Sequence, residues 1–139
     1  MSEKKLNTDA LHKAYHGFEK TMNERAALER NFYETYRTAV IKHFEVCFEL
    51  SWKFMQRWFQ QYDPVMLEGG YSKKDIFRIS RQAGLIEDVS PWFDFLHVRN
   101  MSTHSYDGEV ADEMFDTALI FFVTYKIFID CLEKKLCME

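Results

Sequence analysis

The 139-residue chain has little of what bends, crosslinks or anchors a protein. Five glycines and two prolines leave few points at which a regular element must stop, which favours long helices and short connections. Three cysteines, Cys47, Cys131 and Cys137, are odd in number and show no CxxC spacing. Neither a disulfide framework nor a zinc site is indicated, and buried free thiols in a reducing compartment are the expectation. The N-terminal stretch MSEKKLNTDALHKAY is charged from its third residue and lacks the apolar run of a secretory signal. No apolar stretch approaches bilayer length, so a soluble, cytoplasmic protein without a membrane partner is expected. Positive charge is not in excess either: 18 Lys and Arg stand against 22 Asp and Glu, a formal charge of −4. A chain of this balance has no global basic surface with which to displace counterions from nucleic acid, so any RNA chemistry would need a local site. A Gly-rich phosphate loop, a G-x-S-x-G elbow and a paired acidic nucleotidyltransferase signature are also missing. The chain is therefore not expected to carry transferase activity of its own, and no cofactor is implied.

What is present is helical periodicity. From about Thr8 to Ala27, Leu11, Tyr15, Phe18 and Met22 recur at helical intervals between charged residues, with Leu28 just beyond. From Asn31 to about Tyr62 there is no Gly or Pro, and apolar residues from Val40 to Phe59 occupy most of the circumference. Such a helix must be buried on most sides, at the centre of a bundle or at a subunit interface, and a homodimer is expected on that ground. Asp63-Pro64 and Gly69-Gly70 end it. A short third helix follows, opened by Ser72 and Asp75 in a capping box and closed by Gly84. A fourth starts with Ser90 as N-cap and Pro91 at the first helical position. The last runs from Glu109 to about Leu136. The expected fold is all-α, a mainly up-and-down antiparallel bundle of about five helices, homodimeric, with residues 1–139 forming one domain.

Chemistry concentrates in RNMSTHSY, Arg99 to Tyr106. Arg99 carries a planar fork of donors suited to a phosphate, and His104 can exchange a proton near neutral pH. Together they could provide a base for a ribose 2′-hydroxyl and a cation for the charge that builds on phosphorus. On an ideal helix, however, five residues advance roughly 500° and leave the two about 140° apart. Cooperation requires the helix to unwind near its end, as Asp107-Gly108 suggests, or a cleft completed by a second subunit. In the plainer alternative, Asn100 and His104 satisfy backbone groups at a helix end and Arg99 pairs with a surface carboxylate.

The spacing Arg99, four residues, His104, one residue, Tyr106 resembles the R-x4-H-x-Y motif of the HEPN superfamily. The flanking stretches HFEVCFELSWKF (43–54) and SKKDIFRISRQAGLI (72–86) stand in the order and spacing of its nucleotidyltransferase substrate-binding-protein-like family. The resemblance spans nearly the whole chain. It implies a homodimer that works with a separate minimal nucleotidyltransferase and binds RNA or a nucleotide. In one form of the family, HepT-type toxins, the helical protein is a metal-independent RNase. Arg99 and His104 would then be catalytic, Asn100 and Ser102 would support them or bind nucleotide, and Tyr106 would accept AMP from the partner. In the other form it is a non-catalytic nucleotide- or substrate-binding subunit.

Two further sets share helix faces. Glu45, Glu49 and Trp52 lie at i, i+4 and i+7, with Lys42 and Lys53 nearby; a solvated or intersubunit salt-bridge face is the expectation, ahead of a metal site. His12 and His16 are four apart but lack a third ligand, so they are read as surface histidines. Phe121, Phe122 and Phe128 are read as core.

Overall fold

The Gly- and Pro-free stretch forms one continuous helix of 30 residues, α2 (Tyr33–Tyr62), which is the axis of the molecule. The computed structural model describes residues 6–24, 32–101 and 108–137. Among these, α2 is preceded by α1 (Asp9–Asn23) and followed by a 3₁₀ turn at Pro64–Leu67, then α3 (Lys73–Ala83), α4 (Ser90–Asn100) and α5 (Gly108–Cys137), with no strand. No helix of the described residues is long and apolar enough to cross a membrane.

Side-chain pairs fix the directions. Met22 meets Tyr36 and Thr21 meets His43, so α1 runs antiparallel to α2. Gln56 pairs with Tyr71, Phe48 with Phe77 and Phe44 with Phe95. α3 and α4 thus retrace α2 in succession and together act as a single return helix broken at Gly84. Arg37 meets Asp112, Phe44 meets Phe121 and Trp58 meets Lys135, which sets α5 parallel to α2. The result is an up-down-up-down arrangement whose second and last helices touch across the core.

Local signals explain most boundaries. The Ser72 hydroxyl accepts from the Asp75 N–H at 3.1 Å, while the Asp75 carboxylate accepts from the Ser72 N–H at 2.9 Å. Hydrogen bonding from Ser72, first from its backbone N–H and then from its side chain, holds the Asp75 carboxyl below its usual range. Gly84 takes φ 84°, a left-handed conformation that lets Leu85 N–H reach the Ser80 carbonyl at 2.8 Å. Ser90 is not the N-cap of α4 as expected: Val89 holds that position and Ser90 is the first helical residue. The cause is Asp88, whose carboxylate captures the Ser90 N–H at 3.3 Å and starts the helix one residue early. α1 is also shorter than expected, ending at Asn23; Ala27 and Leu28 lie outside the described residues.

The core is dominated by aromatic rings. Phe121 lies fully buried with Phe95 at 5.1 Å, Phe44 at 5.2 Å and Trp92 at 5.9 Å between centroids, in edge-on arrangements that ring quadrupoles favour. Beside it the Tyr125 hydroxyl donates to the Leu11 carbonyl across 3.1 Å, tying α1 to α5. Of the three thiols only Cys47 is buried; Cys131 is half-buried and Cys137 exposed, which corrects the expectation for those two. Burial pushes the Cys47 thiol up to about 12, so it packs as a small apolar group. α2 is covered on most sides by its own chain, and of its mid-helix apolar residues only Val46 is largely exposed, at 44%. An exposed apolar stripe lies instead on α5, where Ile120, Val123 and Ile127 point outward together.

Phe121→Ala should lower unfolding stability by about 3–5 kcal/mol, from lost apolar transfer plus the cavity left behind. Val123→Ala, 61% exposed, should change it by less than about 0.5 kcal/mol; urea titrations of both variants check this. A second expectation concerns His43, which accepts or donates at 2.9 Å to Thr21 and stacks on Phe18. Desolvation lowers its pKa from the ordinary 6.5. The unfolded chain therefore takes up the proton first, and the stabilisation, full above about pH 6.5, is lost as pH falls through the depressed folded value. Thermal melts across mildly acidic pH should show a steeper loss for the wild type than for His43→Gln.

Candidate functional site

α4 buries Trp92, Phe95 and Leu96, and Arg99 follows them by seven, four and three residues. That spacing places Arg99 on the same side of the helix, facing α2 instead of solvent. A half-buried guanidinium needs counter-charge, and α2 supplies it one helical turn apart. Arg99 Nη1 lies 3.5 Å from Glu45 Oε2 and Arg99 Nε 3.9 Å from Glu49 Oε1. The arginine side chain is 26% exposed and Glu45 18%, so the cluster is screened less than a surface pair. Glu49 also accepts from the Trp52 indole N–H at 3.1 Å and lies 3.8 Å from Lys53.

The expectation of a solvated or intersubunit face for Glu45 and Glu49 is therefore corrected: their partner is Arg99 of the same chain. Arg99 has the carboxylate partners that the plainer reading of the stretch foresaw, but two of them and partly buried. Neither contact saturates it. At 3.9 Å Glu49 is beyond hydrogen-bond range, and among the described residues the buried Nε has no hydrogen-bond acceptor. The side chain as a whole is still 26% exposed toward the groove. Arg99, Lys42, Glu45, Glu49, Leu50 and Lys53 line a groove of about 280 Å³.

α4 ends at Asn100, which is exposed. The Met101 N–H still reaches the His97 and Val98 carbonyls, but Met101 itself is extended, with ψ 148°. Because the chain leaves the helix before Ser102, the angular separation calculated for a continuous helix does not apply to the pair Arg99 and His104. Ser102, His104 and Tyr106 lie outside the described residues. Elsewhere, His12 lies 3.3 Å from Glu133 and His16 3.5 Å from Glu19. Among the described residues no three His, Cys, Asp or Glu side chains gather where they could hold a metal ion.

The residues that composition and spacing did not connect to Arg99 were Glu45 and Glu49. The signal was available: an arginine in register with Trp92, Phe95 and Leu96 demands partly buried carboxylates, and the i, i+4 glutamates of the most apolar helix are the natural source.

An all-α bundle with an arginine at the end of its fourth helix, turned inward against a groove, defines the class. The family model described as nucleotidyltransferase substrate binding protein like matches residues 6–134, and the chain belongs to that family. It is 35% identical over 121 residues, 80% of this chain and 81% of the relative, to the Haemophilus influenzae protein named "Probable ribonuclease HepT". A solved Haemophilus influenzae structure, described as revealing the fold of a substrate binding domain of a nucleotidyltransferase, matches with TM-score 0.76 and 29% identity, over 91% of this chain and 99% of that one. A Thermus thermophilus structure shares the fold at TM-score 0.66 and 22% identity, over 91% of this chain and 98% of that one.

A double-mutant cycle between Arg99→Ala and Glu45→Ala, read by urea unfolding, should give a coupling of about 0.5–3 kcal/mol, as expected for residues sharing one charge network. Additive losses would mean that the pair does not hold α4 to α2.

Proposed function

We propose that this protein is a metal-independent ribonuclease with Arg99 and His104 as its catalytic pair, acting as a homodimer beside a separate minimal nucleotidyltransferase. The observation that carries this reading is Arg99, held half-buried against a groove with only long contacts to Glu45 and Glu49 among the described residues. The name of the Haemophilus relative supports the same activity. His104 takes the proton from a ribose 2′-hydroxyl, whose oxygen then attacks the adjacent phosphorus. The 2′-O–P bond forms as the P–O5′ bond breaks, the electron pair leaves on the 5′-oxygen, and that oxygen is reprotonated by the imidazolium or by water. Arg99 offsets charge on the non-bridging oxygens as it builds. Asn100 and Ser102 orient the phosphate or the imidazole. The products are a 2′,3′-cyclic phosphate and a 5′-hydroxyl. Tyr106 is the acceptor for AMP: its phenol oxygen attacks the α-phosphorus of ATP in the partner's active site and pyrophosphate leaves.

A second reading has its own support. Arg99 is already engaged by Glu45 and Glu49, and the family description speaks of substrate binding. On this reading the chain is a non-catalytic subunit that presents a nucleotide or acceptor to the transferase.

Purified wild type should cleave tRNA or mRNA in the presence of EDTA, and Arg99→Ala and His104→Ala should each reduce the rate by about 10²-fold or more, the usual scale for general acid–base or electrostatic catalysis. Equal cleavage by wild type and variants, or none by any, would sink the catalytic claim. In that event, nucleotide binding by calorimetry and faster turnover of the partner transferase are the expected marks of the second reading. Incubation with the partner and ATP should add the mass of AMP to wild type and not to Tyr106→Phe. Light scattering should give twice the chain mass.

A further inference from the structure

The groove at Arg99 does not end there. It shares Leu50 and Lys53 with a larger depression of about 550 Å³, where the start of α1 crosses α2 and where Arg57, Asn7 and Gln61 contribute polar groups. On α2 the cations of this surface keep one face. Lys53 follows Lys42 by eleven residues, three turns plus about 20°, and Arg57 follows Lys53 by one turn. Lys42, Lys53 and Arg57 are all exposed, and they span about 22 Å along the helix. With Arg99 they bring four cations against the two carboxylates Glu45 and Glu49, on a chain whose net charge is −4. Among the described residues neither Lys42 nor Arg57 has a carboxylate within ion-pair distance, and Lys53, itself exposed, meets Glu49 only at 3.8 Å, a long and weak pairing.

We infer that this face is the substrate track: a single-stranded RNA lies along α2, with phosphates on Arg57 and Lys53 one turn apart, another on Lys42 about 16 Å further along the helix, and the scissile one between them at Arg99. The inference deepens the ribonuclease reading and rests on it for the choice of RNA over other polyanions. Single-stranded substrate follows from the chemistry, because in-line attack by a 2′-oxygen requires the linkage to leave the regular A-form geometry of a duplex. The track reads backbone and not sequence. Phe54, the aromatic side chain that lines the depression, is 5% exposed, and nearby Trp52 has Lys73 at 4.7 Å and Lys53 at 5.9 Å over its ring, so neither presents an open face on which a base could stack.

The test compares wild type, the double variant Lys53→Glu/Arg57→Glu, and Arg81→Glu/Lys134→Glu, which makes the same charge change at exposed sites off the groove. Binding is read by anisotropy with a short labelled 2′-O-methyl oligouridylate, which cannot be cleaved, over a range of salt. The groove variant should weaken binding about tenfold or more, and its log–log salt slope should fall by about 1.4, two phosphate contacts at roughly 0.7 each for a single strand. The off-groove variant should keep the wild-type slope. Cleavage of long RNA by the groove variant should show KM raised by a larger factor than kcat is lowered, and a larger KM increase than in the off-groove variant. An unchanged slope, or equal loss in both variants, overturns the track while leaving the ribonuclease reading standing if wild type cleaves. Wild-type binding with the expected slope but without cleavage removes the ribonuclease reading and retains the track.

Discussion

Trp92 and Phe95 wedge α4 into the angle between α2 and α5, and the candidate site depends on that packing. Both rings contact Phe121 of α5, and they reach Phe48 and Phe44 of α2 respectively. Fully buried aromatic residues are each worth several kcal/mol, far more than any single ion pair at the surface. The rings therefore decide the height and rotation of α4. Arg99, two turns beyond Trp92, is carried to α2 as a consequence, and its contacts with Glu45 and Glu49 are possible only because the apolar packing has already set the distance.

That ordering of effects bears on what the charged cluster does. Charges removed from water incur a desolvation cost that their mutual attraction only partly repays. With a long contact to each carboxylate and, among the described residues, a buried Nε lacking an acceptor, the cluster is not optimised for stability. It is better suited to holding a guanidinium at a chosen place, still partly exposed toward the groove. A phosphate arriving there meets an oriented cation in a groove where screening is reduced. The same arrangement accounts for local basicity on an acidic protein, since Lys42, Lys53 and Arg57 of α2 and Arg99 of α4 are gathered on one face.

How much of this was legible without coordinates varies by element. The capping box at Ser72 and Asp75 and the left-handed Gly84 were readable because each depends on residues within one or two turns. The start of α4 lies one residue earlier than expected, because Asp88, two positions upstream, accepts the Ser90 N–H and Val89 becomes the N-cap. The apolar girth of α2 was read correctly as a demand for burial, but its covering came from α1, α3, α4 and α5 of the same chain. Periodicity states how much surface must be hidden and is silent about which element hides it.

From residue order alone follow an all-helical chain, the succession of its helices, most of their ends, the motif beginning at Arg99 and the resemblance that motif carries. Those properties are local: they rest on backbone conformation, capping and spacing along the chain. Three-dimensional packing was needed to establish that α3 and α4 together make one return pass, that α5 runs parallel to α2, and that Arg99 faces Glu45 and Glu49. The sequence separation between Arg99 and those glutamates is about 50 residues or more, and no local rule acts over that distance. What joins them is the aromatic packing of α4, and with it the groove in which an arginine, two glutamates and a row of cations face one another.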